Sequence, residues 1–256
     1  MKQNYNYDNN LDYENSNNEK ETDFDYKRII IPLLEKADKK KENIILLTTG
    51  SFNPIHRMHL EILNIAYKHL LSLKHYNILC AFISPSADCY VKYKRPPLIP
   101  FDLRCKMIQT SIDEFYEENK NKEKEILKIF LHKWEGSHSY FIDFPEVTLE
   151  IQKKLYEVGD IKLLYVCGMD HYIKCFYNFQ RNVVAIERKP FQKEYKRYQS
   201  NPKKLIFIVR DENCEPYSST YIRESHKIND LDAIRKSAFP KTAEMIINFF
   251  NEIYSK

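Results

Sequence analysis

The most constraining feature of this chain is an apolar run that ends at a glycine and leads into a histidine-bearing helix start. Residues 44–49 predict a buried strand, and Gly50 follows directly. The amphipathic segment beyond it carries His56 and His59 at its beginning. A glycine lets backbone N–H groups approach an anion closely, and a helix N-terminus adds unpaired N–H donors beside the two imidazoles. The pattern therefore predicts a phosphate site and nucleotide chemistry.

Length and composition favour one large domain. The chain has 256 residues, of which 43% are hydrophobic, and its formal net charge is only +4. Because basic and acidic stretches alternate, we interpret the basic excess as solvated surface and expect no nucleic-acid partner. Residues 1–28 are rich in Asn and acidic side chains and poor in aliphatic ones. This composition predicts a disordered tail, followed by a single domain over residues 29–256.

Cysteine usage and the apolar runs bear on the compartment. The six cysteines form no C-x-x-C pair, and Cys80, Cys105 and Cys167 lie in apolar contexts typical of buried thiols. No charged segment followed by an apolar run opens the chain, and no apolar run approaches the roughly 18 residues that a membrane span needs. We expect an intracellular protein, cytoplasmic or nuclear, with no membrane partner.

The order of apolar segments predicts an α/β fold with a doubly wound parallel sheet, because strands alternate with helices along the chain. Ligands in such sheets lie beyond the carboxyl ends of the strands, where Gly50 and Gly168 both fall. After the first strand, we predict strands at 78–84, 126–132, 163–167, 183–187 and 205–209, and helices at 59–73, 101–115, 143–158, from 219, and 241–254. Polar stretches at 117–125 and 189–204 are interpreted as loops.

Two further motifs fit a nucleotide site. Gly168 and Asp170 follow the strand at 163–167, where a carboxylate could hold ribose hydroxyls or a metal-bound water. The alternative is a plain strand-to-helix turn capped by Asp170. Ser219, Thr220 and Arg223 mark a later helix start, where hydroxyls and a guanidinium could bind the same phosphate group. The alternative there is an ordinary capped helix with a surface arginine.

The last two candidates are a basic segment and the single tryptophan. Lys92 and Lys94 follow the strand at 78–84 and could bind a second phosphorylated substrate, or could simply be solvated. Trp134 follows the strand at 126–132, where its ring could stack on a flat heterocycle. The alternative is a core tryptophan.

These motifs, taken in order, resemble those of the eukaryotic-type nicotinamide/nicotinate mononucleotide adenylyltransferases. The resemblance spans residues 44–254 and rests on six segments. They are G-S-F-N-P-I-x-x-M-H-L at 50–60, S-P-x-x-D-x-Y at 84–90, L-I-P at 98–100, Trp134-Glu135, C-G-x-D at 167–170 and S-S-T-x-I-R at 218–223. The resemblance implies a Rossmann-like nucleotidyltransferase domain. Its implied reaction joins ATP to a pyridine mononucleotide, giving NAD or its deamido form and pyrophosphate.

The resemblance also implies site residues. His59, His56 and Arg223 would be catalytic, with His59 as the main donor to the transition state. ATP would be bound by Gly50, Phe52, His56, His59, Gly168, Asp170, Ser219, Thr220 and Arg223. The mononucleotide would be bound by Ser51, Phe52, Lys92 or Lys94, Trp134 and Phe179, the last standing near a position where the family often has a second tryptophan.

The implied cofactor is Mg²⁺, which accompanies ATP, and no metal site of the protein itself is expected, because His132, His138 and the cysteines lack ligand spacing. The implied partners are ATP, the mononucleotide and further copies of the chain in a homo-oligomer. Two alternatives stay open. One is another nucleotidyltransferase of the same fold, such as a cytidylyl- or pantetheine-phosphate adenylyltransferase. The other is a non-catalytic nucleotide-binding or chaperone module.

Overall fold

The computed structural model describes residues 24–94, 97–122, 125–187, 198–211 and 214–254. Within these ranges the chain forms a six-stranded sheet of order β3-β2-β1-β4-β5-β6, and each neighbouring pair runs parallel. The strands are β1 (Glu42–Gly50), β2 (Tyr76–Pro85), β3 (Ile129–Leu131), β4 (Ile161–Gly168), β5 (Val183–Glu187) and β6 (Ile206–Arg210). The strand order reverses between β1 and β4, which creates a crevice at their carboxyl ends.

Helices cover both faces of this sheet. They are α1 (Tyr26–Leu34), α2 (Arg57–Ser72), α3 (Asp88–Lys94), α4 (Phe101–Asn119), α5 (Phe144–Tyr156), α6 (Met169–Lys174), α7 (Ser219–Lys227), α8 (Leu231–Ser237) and α9 (Pro240–Tyr254). The predicted α/β fold with a doubly wound parallel sheet is confirmed. None of the described helices combines the length and the apolar character needed to cross a bilayer.

Strand β1 shows how the sequence builds two cores. Its apolar residues are fully buried, and they alternate between the faces of the sheet because successive side chains of a strand point in opposite directions. Ile44 and Leu46 join the cluster beneath α2, α4 and α9, whereas Ile45 and Leu47 join the cluster beneath α1, α5 and α6. A strand buried on both faces reads as a continuous apolar run, as the sequence shows.

Helix α1 corrects the predicted tail boundary. Residues 24–28 were assigned to the tail, but α1 begins at Tyr26 and is capped by Asp25, whose side chain accepts a hydrogen bond from the Arg28 N–H. Ile30 on this helix is fully buried. The apolar face of α1 and the preceding Phe24 pack on the sheet, which the polar composition of the segment as a whole concealed. Residues 1–23 lie outside the described part of the chain.

Smaller differences concern the ends of elements. Strand β3 is shorter than the predicted 126–132, and α4 extends to Asn119, into the stretch interpreted as a loop. The basic segment after β2, for which no helix was predicted, forms helix α3. Of the predicted loop at 189–204, residues 189–197 lie outside the described ranges, and Pro202–Lys204 form a 3-10 helix. Cys80, Cys105 and Cys167 are buried, as predicted.

Candidate active site

A pocket of about 460 Å³ lies where β1 ends and where α2, α3 and α7 meet. Its walls bring together six of the residues singled out in the sequence, although they are far apart along the chain. The lining residues are Ser51, Phe52, Asn53, His59, Val91, Ser219, Thr220 and Arg223. The hydroxyl oxygen of Ser51 is buried and has no hydrogen-bond partner among the described residues, so it is an unused polar group in the pocket wall.

Gly50 ends β1 next to the ring of Phe52. A Cβ atom at this position would lie 3.3 Å from the tip of that ring, a tight contact that a small shift of the ring would have to relieve. Gly50 itself has no positive φ; the left-handed conformation falls on Phe52, with φ of 43°. The chain therefore turns at Phe52, a non-glycine residue held in a strained region next to the pocket.

The two histidines form a stacked pair at the start of α2. His56 is the N-cap residue, and its backbone N–H donates to His59 Nδ1 at 3.1 Å. The two rings stack with centroids 3.6 Å apart, and the edge of the Phe52 ring contacts His59 at 4.8 Å. Because Nδ1 of His59 accepts a hydrogen bond, the neutral ring carries its proton on Nε2. His59 is thus prepared as a hydrogen-bond donor in the pocket wall.

Helix α7 supplies the opposite wall. Ser218, not Ser219, caps the helix by accepting from the Tyr221 N–H at 3.0 Å. The Ser219 hydroxyl donates to the Pro54 carbonyl at 2.7 Å. Arg223 donates from Nη1 to the Asn53 carbonyl and from Nη2 to Thr220 Oγ1 at 3.0 Å. These bonds join the segment after Gly50 to the start of α7, so both phosphate motifs belong to one rigid unit.

Gly168 and Asp170 lie at the carboxyl end of β4, the neighbour of β1 in the sheet. Gly168 is the N-cap of α6, and Asp170 stands exposed in the first turn of that helix. Neither lines the 460 Å³ pocket as the described residues define it. They share its edge of the sheet, where the crevice between β1 and β4 opens.

The residues predicted to bind the mononucleotide through a lysine and a tryptophan do not line the 460 Å³ pocket as the described residues define it. Lys92 is exposed on α3, one residue from the pocket-lining Val91, and the side chain of Lys94 lies outside the described part of the chain. Trp134 is half-buried and precedes a 3-10 helix at Glu135–Ser137. The edge of its ring contacts His138, with centroids 4.8 Å apart.

Phe179 is a core residue in this structure. It is only 4% exposed, and its ring stacks on those of Phe144 at 4.9 Å and Tyr172 at 5.7 Å. The interpretation of Phe179 as a ring that binds the mononucleotide is therefore not supported. The aromatic cluster beneath α5 and α6 gives it a sufficient packing role.

Sequence reasoning missed Arg104, which connects the loops around the pocket. Its side chain is 0% exposed and lies at the start of α4. The guanidinium donates to the carbonyls of Ser51 (2.8 Å), Ser86 (2.8 Å) and Ile99 (3.0 Å) and to Asp88 Oδ1 (2.7 Å). A signal existed, because Arg104 lies on the apolar stripe of α4, where a charge needs several partners. It holds the ends of β1 and β2 and the start of α3 in one arrangement.

Glu135 belongs to the Trp134-Glu135 motif, for which the sequence suggested no role for the glutamate. In the structure its carboxyl is buried and hydrogen-bonded. It is 2% exposed, and its Oε2 accepts from the Ser84 hydroxyl at 2.8 Å. Burial raises the pKa of this carboxyl to about 7, although hydrogen bonds from Ser86 and Ser84 and the charge of Arg104 act in the opposite direction. The next residue, Gly136, packs so tightly that a Cβ would lie 2.5 Å from the Pro85 carbonyl. The turn after Trp134 is therefore fixed to the end of β2.

Among the described residues, His, Cys, Asp and Glu side chains do not gather into a group of three that could hold a metal ion.

Comparisons with known proteins place the site in a family. Two solved structures of Plasmodium falciparum nicotinic acid mononucleotide adenylyltransferase, one complexed with APC and one with NaAD, superpose with TM-scores of 0.57 and 0.56 at 22% identity. They cover 80% and 81% of this chain and 95% and 96% of theirs, so they share its fold.

A curated relative matches over a shorter stretch. Nicotinamide/nicotinic acid mononucleotide adenylyltransferase 1 of Bos taurus is 36% identical over 55 residues, which are 22% of this chain. The match spans only a fifth of the bovine protein's length. The model of the cytidylyltransferase-like family matches residues 47–225, from the end of β1 into α7. That range contains both walls of the pocket and most of the chain, and the protein belongs to the cytidylyltransferase-like family.

Proposed function

We propose that this protein is an adenylyltransferase that joins ATP to nicotinamide or nicotinate mononucleotide, giving NAD or deamido-NAD and pyrophosphate. The observation that carries the proposal is one pocket that is lined by His59, Ser219, Thr220 and Arg223, beside the N-termini of α2 and α7. Backbone N–H groups and positive helix ends favour a polyanion there. The names of the bovine and Plasmodium relatives supply the substrate class.

The proposed chemistry needs positioning and charge stabilisation rather than a covalent intermediate. A phosphate oxygen of the mononucleotide attacks the α-phosphorus of ATP in line, and the bond to the bridging oxygen breaks, with its electron pair leaving on pyrophosphate. His59 donates from Nε2 to the oxygens on which negative charge develops. His56 holds His59 in that tautomer through the bond from its backbone N–H.

Arg223 lines the pocket and donates hydrogen bonds to Asn53 and Thr220. Its guanidinium is a planar fork of N–H donors, a geometry that matches phosphate oxygens. We propose that it binds the β- and γ-phosphates. The N-terminal N–H groups of α7 lie beside the same wall and would share that role.

The nucleotide substrate would be MgATP, whose Mg²⁺ offsets negative charge on the leaving pyrophosphate. The ion would be held mainly by the phosphates. For the mononucleotide, Lys92 or Lys94 on α3 would bind the phosphate, and Trp134 would stack on the pyridine ring. Gly168 and Asp170, at the end of β4, would bind the ribose of ATP.

We also propose a cytoplasmic or nuclear location, which the six free cysteines support. The homo-oligomer and the absence of a nucleic-acid partner stay predictions.

One assay tests the activity. Purified protein is incubated with MgATP and each of the two mononucleotides, and the products are separated by chromatography. We expect a dinucleotide and pyrophosphate in equal amounts. Consumption of CTP in place of ATP would assign the chain to another nucleotidyltransferase. Binding of ATP without any product would assign it to the non-catalytic class.

A further inference from the structure

The N-terminal segment Phe24–Leu34 packs against the strand end that leads to Trp134. The Phe24 ring lies 5.0 Å from that of Phe82 and 5.1 Å from that of His132. A hydrogen bond of 2.6 Å joins Tyr26 Oη to His132 Nε2. His132 is 1% exposed, two residues before Trp134. Segment and strand end thus form one aromatic cluster, in which Phe82 and His132 are buried and Phe24 and Tyr26 are half-buried.

Strand β3 needs this support because it is short and lies at the edge of the sheet. Only Ile129–Leu131 belong to it, and they pair with β2 alone among the described strands. Beyond Leu131, the His132 N–H donates to the Ile83 carbonyl at 2.9 Å. This bond fixes the backbone of His132 but not its ring, which is held by Phe24, Tyr26 and Phe82. The N-terminal segment therefore holds one side of the strand end in place.

The other side of Trp134 is fixed independently. Glu135 accepts the hydrogen bond from Ser84, and Gly136 packs against the Pro85 carbonyl. The Trp134 carbonyl accepts hydrogen bonds from the Ser137 hydroxyl at 2.9 Å and from the Ser137 N–H at 3.3 Å. Trp134 thus lies between two sets of contacts. The residues after it contact the end of β2, and His132 before it contacts Phe24 and Tyr26.

We propose that Tyr26 is a positioning residue for Trp134, and that the segment Phe24–Leu34 thereby sets the affinity of the site for the pyridine mononucleotide. The proposal rests on the proposed function for its substrate. Its structural part, the dependence of the Trp134 ring on the Tyr26–His132 contact, does not. The affinity for ATP is unaffected, because the phosphate wall is held by separate bonds among Asn53, Pro54 and α7.

Tyr26→Phe is the test variant, because it removes one hydroxyl and keeps the ring that packs on Phe82 and His132. The buried His132 Nε2 then loses this partner, which is costly for a polar atom away from water. We expect the strand end to loosen around His132. Tyr156→Phe, on the exposed surface of α5, is the matched control that removes the same hydroxyl elsewhere.

Fluorescence gives a readout that needs no substrate, since Trp134 is the only tryptophan in the chain. We expect Tyr26→Phe to lower the anisotropy of Trp134 emission and to increase its quenching by acrylamide, with no such change in Tyr156→Phe. The double variant Tyr26→Phe/His132→Phe removes both polar partners, so no unpaired nitrogen remains, and it should restore much of the anisotropy. Unchanged Trp134 emission in Tyr26→Phe would overturn the proposal.

Steady-state kinetics gives the second readout. Tyr26→Phe should raise the KM for the mononucleotide by about three- to tenfold, the factor expected for one buried hydrogen bond, and leave the KM for ATP within about twofold. A lower melting temperature with unchanged KM values would mean a purely structural contact and would also overturn the proposal.

Different results would contradict the proposed function and the proposed role of Tyr26. If the wild-type protein makes no dinucleotide, the proposed function fails, and the Trp134 emission of Tyr26→Phe still decides whether the N-terminal segment positions the ring. If the wild-type protein is active and the emission changes while the KM for the mononucleotide does not, the proposed function stands and the role of Tyr26 in affinity is rejected.

Discussion

The two halves of the candidate site are built in different ways. One half, which we propose binds the phosphates of ATP and call the phosphate half, joins two local motifs. These are the segment after Gly50 and the start of α7, and they are joined through the bonds that Ser219 and Arg223 donate to Pro54 and Asn53. Arg223 is buried, whereas His59, Ser219 and Thr220 are half-buried, and hydrogen bonds within the protein orient these side chains. The other half, which we propose binds the pyridine mononucleotide and call the pyridine half, has Lys92 exposed on α3 and Trp134 half-buried. The groups that pack or bond around it, Arg104, Glu135 and Tyr26, come from three distant segments, and Arg104 also bonds to the Ser51 carbonyl beside the phosphate half.

This difference shows which part of such a site can be formed by a short sequence motif alone. A phosphate site needs N–H donors and positive ends, which one strand–turn–helix segment provides by itself. A site for a flat ring needs a surface at a set angle, and the angle depends on packing from all sides. We therefore expect mutations in the phosphate half to act on chemistry, and mutations in the pyridine half to act on one substrate's affinity.

The largest effect is expected at His59. Its Nε2–H is the prepared donor of the phosphate wall, so His59→Ala should keep the fold and lower kcat by about 10²–10³-fold, the scale of one lost transition-state donor. Steady-state kinetics beside a circular dichroism spectrum would measure this. Near-normal turnover would show that the transition-state charge is stabilised by other groups and would remove the contrast between the halves.

The next largest effect is expected for Trp134→Ala, which tests the pyridine half. Stacking of a base on an aromatic ring is worth roughly 1–3 kcal/mol, so the KM for the mononucleotide should rise by about 5- to 150-fold while the KM for ATP stays nearly constant. The control is Phe179→Leu, in the core beneath α5 and α6, which should lower stability without a selective change in either KM. A uniform loss of stability in Trp134→Ala, with no effect on one substrate, would support a core role for the tryptophan.

Arg223→Lys tests whether the charge or the planar fork matters in the phosphate half. Lysine keeps the charge but cannot bind Asn53, Thr220 and a phosphate at once with fixed geometry. We expect kcat/KM for ATP to fall by roughly tenfold, which corresponds to about 1.4 kcal/mol. Initial rates at varied ATP would show it, and unchanged kinetics would remove Arg223 from the site.

A smaller effect is expected in the pH dependence of stability through Glu135. Burial raises the pKa of this carboxyl from 4.5 to about 7, so between these values the unfolded chain releases the proton and the folded chain keeps it. This group therefore makes the free energy of unfolding fall as pH rises from 4.5 to about 7. Glu135→Gln lacks the titration, so its stability relative to the wild type should increase over that interval. Urea unfolding of both proteins at pH 5 and pH 8 would measure it; a constant difference would contradict the buried, proton-retaining carboxyl.

The sheet could be predicted, and the residues of the pocket could be singled out, because their signals are local. Continuous apolar runs and a glycine–histidine motif each lie within a short window, and the structure has strands where the runs indicate them and the motif at the pocket. The binding of phosphate by these residues stays a prediction. The close approach of an anion to the Gly50 backbone stays a prediction, and the structure adds that the left-handed residue of this turn is Phe52, whose ring lies next to the glycine. Local patterns locate a turn more readily than they identify the residue that makes it.

The supporting residues of the pyridine half could not be found in this way. Arg104 is a charge on an apolar stripe, and its four acceptors lie on three separate segments. Helix α1 contains Pro32 and follows an acidic, Asn-rich stretch, both of which argue against a helix. Phe179 was assigned by its position near a motif, while the rings that surround it come from α5, α6 and β4. Each of these depends on contacts between distant residues.

The most direct test of the central claim follows the phosphorus atoms of ATP through the reaction. The enzyme is given a pyridine mononucleotide with MgATP labelled either at the α- or at the γ-phosphorus, in the wild type and in His59→Ala. The account predicts that the α-label appears in the dinucleotide and the γ-label in pyrophosphate, and that both transfers slow together in the variant. Transfer of the γ-label to the mononucleotide, or an α-label that stays with unreacted ATP in the wild type, would contradict it.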